Sequence, residues 1–211
     1  MTQTDAAFIH AEAERALARL LEGNRRFLEG RPVHGHASAT WREQLVAVQQ
    51  PFATILGCAD SRIPPELIFD QGFGDLFVIR VAGNVLGDEV AGSLQYAVHH
   101  LKTPLIMVLG HEGCGAVTAA VQAMLGKHDE PHYIEALIGM IEPGLRGLDL
   151  GMPDPARLEI AVENNVRHAV RRLAESPGGQ QFLGERNGRL VGAVYELATG
   201  RVRLLDGAGQ A

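Results

Sequence analysis

Apolar runs alternate with amphipathic stretches along this chain, and their order predicts its secondary structure. Residues 6–29 place leucines at roughly helical spacing, and Gly30 and Pro32 follow, so we predict a helix that ends there. A loop over residues 31–40 and a short helix over residues 41–48 come next. Three later apolar runs are typical of buried strands: FATILG, DLFVIRVAG and TPLIMVLG.

Helical patterns separate or follow these strands: DEVAGSLQYAVHHL, GAVTAAVQAML and PARLEIAVENNVRHAVRRLAES. The chain then continues with RLVGAVYEL, a turn at ATG, and RVRLLD, which together predict a hairpin. Strands that alternate with helices indicate an α/β fold, with a mostly parallel central sheet of about four parallel strands plus an antiparallel edge strand, flanked by helices. We expect one domain over residues 1–211, with an N-terminal helical arm (1–50) and an α/β core (51–211).

Composition narrows the functional classes only slightly. The formal net charge of -6 argues against a nucleic-acid or anionic-membrane surface, since both need a basic face. The first twenty residues are acidic and helical in pattern, without an apolar signal core, and no apolar run could span a bilayer. We therefore expect a cytoplasmic protein, where two widely spaced cysteines more often bind metal or do chemistry than form a disulfide.

The sequence GCADSRIPPE directly follows the first apolar run. It places Cys58, Asp60 and Arg62 at alternate positions, so that an extended chain would point all three side chains the same way. Arg62 could then donate a charge-assisted hydrogen bond to Asp60, with Cys58 beside the pair. A thiol and two charges at the end of an apolar strand are costly to bury, so this pattern indicates a functional site.

A second polar cluster, LGHEGCGAV, lies where another apolar run gives way to a helical pattern. It contains His111 and Cys114, three residues apart, among glycines that permit a tight turn. In open α/β sheets, ligands collect at the carboxyl ends of parallel strands. If the two strands are neighbours, Cys58, His111 and Cys114 come together.

Two thiolates and one imidazole are a sound ligand set for zinc. Three protein ligands with an open fourth position are typical of catalytic zinc sites, where the pKa of bound water falls from about 15.7 towards roughly 7. Asp60 could accept a hydrogen bond from that water, or it could occupy the fourth position itself in a closed state. Arg62 would decide between these two states by holding the carboxylate.

Other interpretations of the same residues stay open at this point. Cys58 could be a small buried hydrophobe, or it could form a disulfide with Cys114. It could also be a nucleophile with His111 as its base, although Cys114 would then have no role. Six further histidines are interpreted as non-ligands: His34, His36, His99, His100, His128 and His132.

The motifs CADSR and GHEGCG together resemble the β-class carbonic anhydrases. The resemblance runs from about Glu22 to VGAVYELATGRV, so it covers nearly the whole chain. It implies one zinc per chain, bound by Cys58, His111 and Cys114, with Asp60 and Arg62 as the dyad of the family. The implied reaction is the reversible hydration of carbon dioxide to bicarbonate and a proton, by attack of zinc-bound hydroxide.

The resemblance also implies a substrate site. Gln49 falls where open-site members carry a glutamine that hydrogen-bonds substrate, and the N–H of Gly115 matches a group that faces the substrate oxygen. Both could stabilise the negative charge that grows in the transition state. The implied apolar pocket for carbon dioxide is lined by Phe77, Tyr96, Ile63, Leu56 and Ala82.

A regulated subgroup of this family binds inhibitory bicarbonate through a Trp, an Arg and a Tyr. Arg80 and Tyr195 match two of these positions, but Ile55 occupies the tryptophan position. With Gln49 present, we expect an open zinc site and weak or absent regulation by bicarbonate.

Members of the family are homodimers, often paired into homotetramers, whose N-terminal helices embrace the partner. The predicted helix over residues 6–29 could do the same, or it could pack on its own subunit. Two alternative functions are a related zinc hydrolase acting on carbonyl sulfide or carbon disulfide, and a non-catalytic zinc or thiol sensor.

Overall fold

The computed structural model describes residues 3–206 except 34, 128 and 186, with side chains from residue 8 onward except that of 185. The α-helices are α1 (Gln3–Leu28), α2 (Ala39–Gln44), α3 (Pro65–Ile68), α4 (Asp88–Tyr96), α5 (Gly115–Met124), α6 (His132–Ile141), α7 (Asp154–Glu175) and α8 (Pro177–Gln180). The strands are β1 (Ala53–Gly57), β2 (Leu76–Arg80), β3 (Leu105–His111), β4 (Arg189–Tyr195) and β5 (Val202–Leu204). Short 3-10 turns lie at Ala82–Asn84 and Glu142–Leu145, and π-helical turns lie at Ala97–Leu101 and Gln181–Glu185.

The described strands form one sheet in the order β2-β1-β3-β4-β5. The first four are parallel, and β5 pairs antiparallel with β4 through the predicted hairpin. Every residue of β1 and of β3 is buried, which explains why these strands are continuous apolar runs. The edge strand β2 is only partly buried. The predicted α/β class with one antiparallel edge strand is confirmed.

Helix α7 lies directly against the centre of the sheet. A Cβ atom on Gly110 of β3 would sit 2.5 Å from Cγ2 of Val166, well inside contact distance. The absence of a side chain at this one strand position therefore lets α7 approach β3 closely. The approach matters for the site because Gly110 immediately precedes His111.

Several helical features differ from the sequence prediction, including the short, unpredicted helices α3 and α8. The second helix stops at Gln44 and begins after Ser38, whose side-chain oxygen accepts a hydrogen bond of 3.1 Å from the N–H of Trp41. Helix α6 was not predicted, and it starts directly after Pro131, a residue that suits a helix boundary. None of the described helices is both long enough and apolar enough to cross a membrane.

Helix α1 packs on its own subunit, against α3, β3 and β4. Its buried face consists of small and aliphatic residues, namely Ala13, Ala16, Leu17 and Leu20. Near its end, the buried Asn24 donates hydrogen bonds to the carbonyls of Ile68 (3.1 Å) and Gly200 (2.9 Å) and accepts one from the N–H of Val202 (3.0 Å). One side chain thus joins α1 to the start of β5.

We expect Asn24→Ala to lower the free energy of unfolding by about 2 kcal/mol, because it leaves buried backbone groups without partners. Urea unfolding followed by circular dichroism measures this effect. Arg25→Ala is the matched control, because its ion pairs lie on the solvent side of α1 and such pairs contribute little. Equal loss of stability in both variants would contradict the assigned role of Asn24.

Candidate metal centre

Two neighbouring strand ends bring the predicted ligands together. Cys58 follows β1, His111 is the last residue of β3, and Cys114 precedes the first residue of α5. The two sulfur atoms are 4.0 Å apart, and the three potential ligand atoms lie within 4.8 Å of one another. All three residues are buried. The parallel register of β1 and β3 therefore produces the convergence that the sequence predicted.

The His111 ring is oriented by its neighbour. Its Nδ1 lies 2.8 Å from the carbonyl oxygen of Glu112, so Nδ1–H donates this bond and Nε2 carries a lone pair. Nε2 is buried and has no hydrogen-bond partner among the described residues. Since a buried polar atom rarely stays unsatisfied, this nitrogen is suited to bind a cation together with the two cysteine sulfurs.

The distances fit zinc. A tetrahedral ion with Zn–S bonds of about 2.3 Å places two thiolate sulfurs about 3.8 Å apart. The observed separation of 4.0 Å is close to that value. It is about twice the length of a disulfide bond, roughly 2.05 Å, and both cysteines are free. Cys58 and Cys114 therefore do not form a disulfide bond in this structure.

The two thiols are electrostatically unequal. The hydrogen bond between the two sulfurs lowers the pKa of Cys58, against the opposing effect of burial. The same contact with Cys58, together with burial, raises the pKa of Cys114. The backbone N–H of Gly83 also donates to the Cys58 sulfur, at 3.3 Å. The close contact between the two sulfurs therefore favours a thiolate in this pair, and a thiolate is the form that binds a cation.

Asp60 and Arg62 form the expected pair, but not through an extended strand. Strand β1 ends at Gly57, and a turn follows in which the N–H of Ile63 donates to the Asp60 carbonyl at 3.2 Å. The condition of an extended chain, under which the three side chains would point the same way, is therefore not met, because this hydrogen bond closes a turn. The turn achieves the same pairing by a different backbone path.

The carboxylate of Asp60 is held at both oxygens. Arg62 donates from Nε to Oδ1 (2.9 Å) and from Nη2 to Oδ2 (2.7 Å), and its backbone N–H also donates to Oδ1 at 2.9 Å. The Arg62 guanidinium keeps the pKa of the Asp60 carboxyl well below its usual range. Oδ2 lies 3.9 Å from His111 Nε2, so the charged carboxylate faces the centre of the ligand group.

Arg80 has a role that the sequence did not reveal. Its guanidinium donates to the carbonyl of Cys58 at 3.0 Å and also to the carbonyl of Asp60. It thereby fixes the backbone on either side of Ala59. The available signal was a charged residue at the end of the apolar strand β2, where the carboxyl edge of the sheet lies.

The predicted pocket residues lie in several settings. The rings of Phe77 and Tyr96 face one another with centroids 6.1 Å apart. Leu56 and Ile63 are fully buried in the core, and Ala82 lies in the turn beside Gly83, which contacts Cys58. Gly115 is exposed at the start of α5, and Gln49 is exposed in the segment between α2 and β1. Their roles toward substrate stay predictions.

The other histidines have different surroundings. His36 stacks on Trp41 with ring centroids 3.8 Å apart, and its Nδ1 contacts Asp75 at 2.8 Å. His99 and His100 lie in the π-helical turn after α4, and His132 is the first residue of α6. Two of the six histidines interpreted as non-ligands, His34 and His128, lie outside the described residues. Within the described part of the chain, the group able to hold a metal is Cys58, His111 and Cys114.

Three converging ligands with no fourth among the described residues are the arrangement of catalytic zinc sites, rather than of structural ones. Comparison with known proteins identifies the family. The carbonic anhydrase family model matches residues 53–202. Carbonic anhydrase 2 of Mycobacterium tuberculosis is 41% identical over 192 residues, which cover 90% of this chain and 91% of that protein. A carbonic anhydrase of Mycolicibacterium smegmatis is 38% identical, with coverage of 90% and 92%.

Solved structures agree with this assignment. A tetrameric β-carbonic anhydrase of Sordaria macrospora superimposes with a TM-score of 0.73 at 25% identity, covering 81% of this chain and 87% of that one. A Coccomyxa β-carbonic anhydrase in complex with acetazolamide gives 0.70 at 29% identity, covering 90% and 86%. The chain belongs to the β-carbonic anhydrase family.

Proposed function

We propose that this chain catalyses the reversible hydration of carbon dioxide to bicarbonate and a proton, with one zinc ion held by Cys58, His111 and Cys114. The observation that carries the proposal is the unsatisfied Nε2 of His111, which shares a buried site with two free cysteine sulfurs at zinc-like spacing. A zinc ion bound there would lower the pKa of water enough to supply hydroxide near neutral pH.

In this proposal, Asp60 orients the attacking water. Its carboxylate is ionised and faces the ligand group, so it can accept a hydrogen bond from that water. Arg62 binds both carboxylate oxygens, which restrains Asp60 from moving into the fourth coordination position. This double contact supports an open site over a closed one.

The substrate side of the proposal rests on the residues that the family resemblance implied. Gln49 and the N–H of Gly115 would stabilise the growing negative charge on the substrate oxygens. The uncharged carbon dioxide molecule would lie against an apolar wall. This wall is formed by Phe77, Tyr96, Ile63, Leu56 and Ala82. None of these five side chains is charged, so the wall contains no group that would attack the substrate carbon in place of water.

We further propose that bicarbonate regulates the enzyme weakly or not at all. Arg80 already uses N–H groups of Nε and Nη2 on the carbonyls of Cys58 and Asp60, which leaves fewer donors for an anion and restricts the orientation of its guanidinium. Ile55 is fully buried in the core and offers no indole donor. We also propose a single domain that acts as a homodimer or homotetramer in the cytoplasm. The tetrameric Sordaria macrospora relative supports the assembly.

Stopped-flow measurement of carbon dioxide hydration tests the function. We expect the zinc-loaded protein to be active near neutral pH, and to gain activity over about two pH units above it as water ionises. Activity confined to alkaline pH would contradict the open site and favour gating by Asp60. No hydration at any pH, despite one zinc per chain, would overturn the function and direct the assay to carbonyl sulfide and carbon disulfide.

A further inference from the structure

A buried asparagine on helix α7 reaches the turn that contacts the metal-site cysteine. Nδ2 of Asn165 donates a hydrogen bond of 2.9 Å to the carbonyl oxygen of Gly83. The N–H of Gly83 in turn donates to the sulfur of Cys58 at 3.3 Å. We propose that Asn165 is a positioning residue for Cys58, acting through Gly83. The inference rests on the zinc site of the proposed function.

The turn between Asn165 and Cys58 has an unusual backbone. Gly83 (φ 66°) and Asn84 (φ 43°) both have left-handed conformations, which glycine and asparagine adopt more readily than other residues. A Cβ atom on Gly83 would lie 2.8 Å from Cδ1 of Ile141 and 3.1 Å from Cβ of Ala116, so the turn is also closely enclosed. The two residue types suit this backbone conformation, and the neighbouring elements restrict where the turn lies.

Asn165 supplies such a constraint from a rigid element. The side chain is on a 22-residue helix, and only 3% of the residue's surface is exposed. The next residue, Val166, contacts the sheet at Gly110, so this part of α7 is fixed relative to β3. Burying an amide is unfavourable unless its hydrogen bonds are made. The Asn165 amide therefore favours the position of Gly83 in which this hydrogen bond forms.

The contact matters because it determines where the Gly83 N–H points. Hydrogen bonds to a ligand sulfur stabilise the thiolate and restrict its orientation, and changes to such outer partners typically reduce metal affinity by about 10- to 100-fold. Without Asn165, the carbonyl of Gly83 loses its anchor, and the N–H on the other side of the same residue is free to turn away from Cys58.

The test compares Asn165→Leu, which keeps nearly the same size but has no amide, with Asn164→Leu on the adjacent, less buried position of the helix. Zinc release to a coloured chelator gives the dissociation rate. The thiolate-to-cobalt charge-transfer band of the cobalt-substituted proteins reports on the cysteine ligands. That band would not move if Asn165 only stabilised the fold. Asn165→Ala serves the same comparison should the leucine variant fail to fold.

We expect zinc to leave the Asn165 variant about 10-fold faster than the wild type, with a shifted charge-transfer band, while the Asn164 variant behaves as wild type. Unchanged release and an unchanged band in a folded Asn165 variant would overturn the inference, as would equal effects in both variants. Failure of the wild type itself to bind zinc at Cys58 would overturn the proposed function, which separates the two results.

Discussion

Cys114→Ser should lose zinc and carbon dioxide hydration as completely as Cys58→Ser. The two sulfurs are 4.0 Å apart and share one site with His111, so each supplies one of three ligands. Even residues that only hydrogen-bond to a metal ligand contribute about 10- to 100-fold to metal affinity or activity. Removal of a direct ligand should therefore reduce hydration by more than about 100-fold. Metal analysis and stopped-flow hydration on the purified variants measure both effects.

The pair of variants also separates two chemistries. A cysteine nucleophile at Cys58 with His111 as base would leave Cys114 dispensable. Retained activity in Cys114→Ser, together with its loss in Cys58→Ser, would therefore contradict the metal centre. The double variant is the internal control: residues that act as one unit are non-additive, so its activity should equal that of either single variant.

Asp60→Asn should lower kcat/KM for hydration by about 100-fold while leaving the zinc content at one per chain. The amide has almost the shape of the carboxylate, but it carries no negative charge. In the wild type, Arg62 keeps the Asp60 carboxylate ionised and orients it toward the ligand group. The loss should fall mainly on kcat, because Asp60 is assigned to the attacking water rather than to the binding of carbon dioxide.

Ser61→Ala is the matched control for this substitution. Ser61 lies between the two partners in the same turn, and its side chain is exposed, so hydration should be unchanged. An Asp60→Asn variant as active as the wild type would remove the carboxylate from the mechanism. Loss of zinc from Asp60→Asn would instead assign Asp60 to the integrity of the metal site.

The central sheet and the ligand group were predictable for a simple physical reason. Strands buried on both faces must be apolar throughout, so β1 and β3 are visible as unbroken hydrophobic runs. The carboxyl ends of neighbouring parallel strands must meet, so Cys58 and His111 had to converge if β1 and β3 were neighbours, and the sheet order shows that they are. Neither inference required knowledge of side-chain packing.

Other features depend on packing that a linear pattern does not contain. Helix α6 exposes large apolar residues, Tyr133, Ile134 and Met140, so it lacks the polar outer face by which amphipathic helices are recognised. The turn at Asp60–Ile63 depends on a local hydrogen bond that interrupts an otherwise extended pattern. The contact between Asn165 and Gly83 joins positions 82 residues apart, and no spacing rule predicts it.

The missing side chain at Gly110 limits how this enzyme can be redesigned or can drift in sequence. Any larger residue there must displace the side chain of Val166, and it leaves less room for α7, since its Cβ would overlap Cγ2 of that valine. The same displacement would disturb two supports at once: His111, the next residue along β3, and Asn165, the preceding residue on α7. A single buried substitution at Gly110 would thus lower catalytic activity. A compensating second substitution would have to make Val166 smaller rather than change the metal ligands.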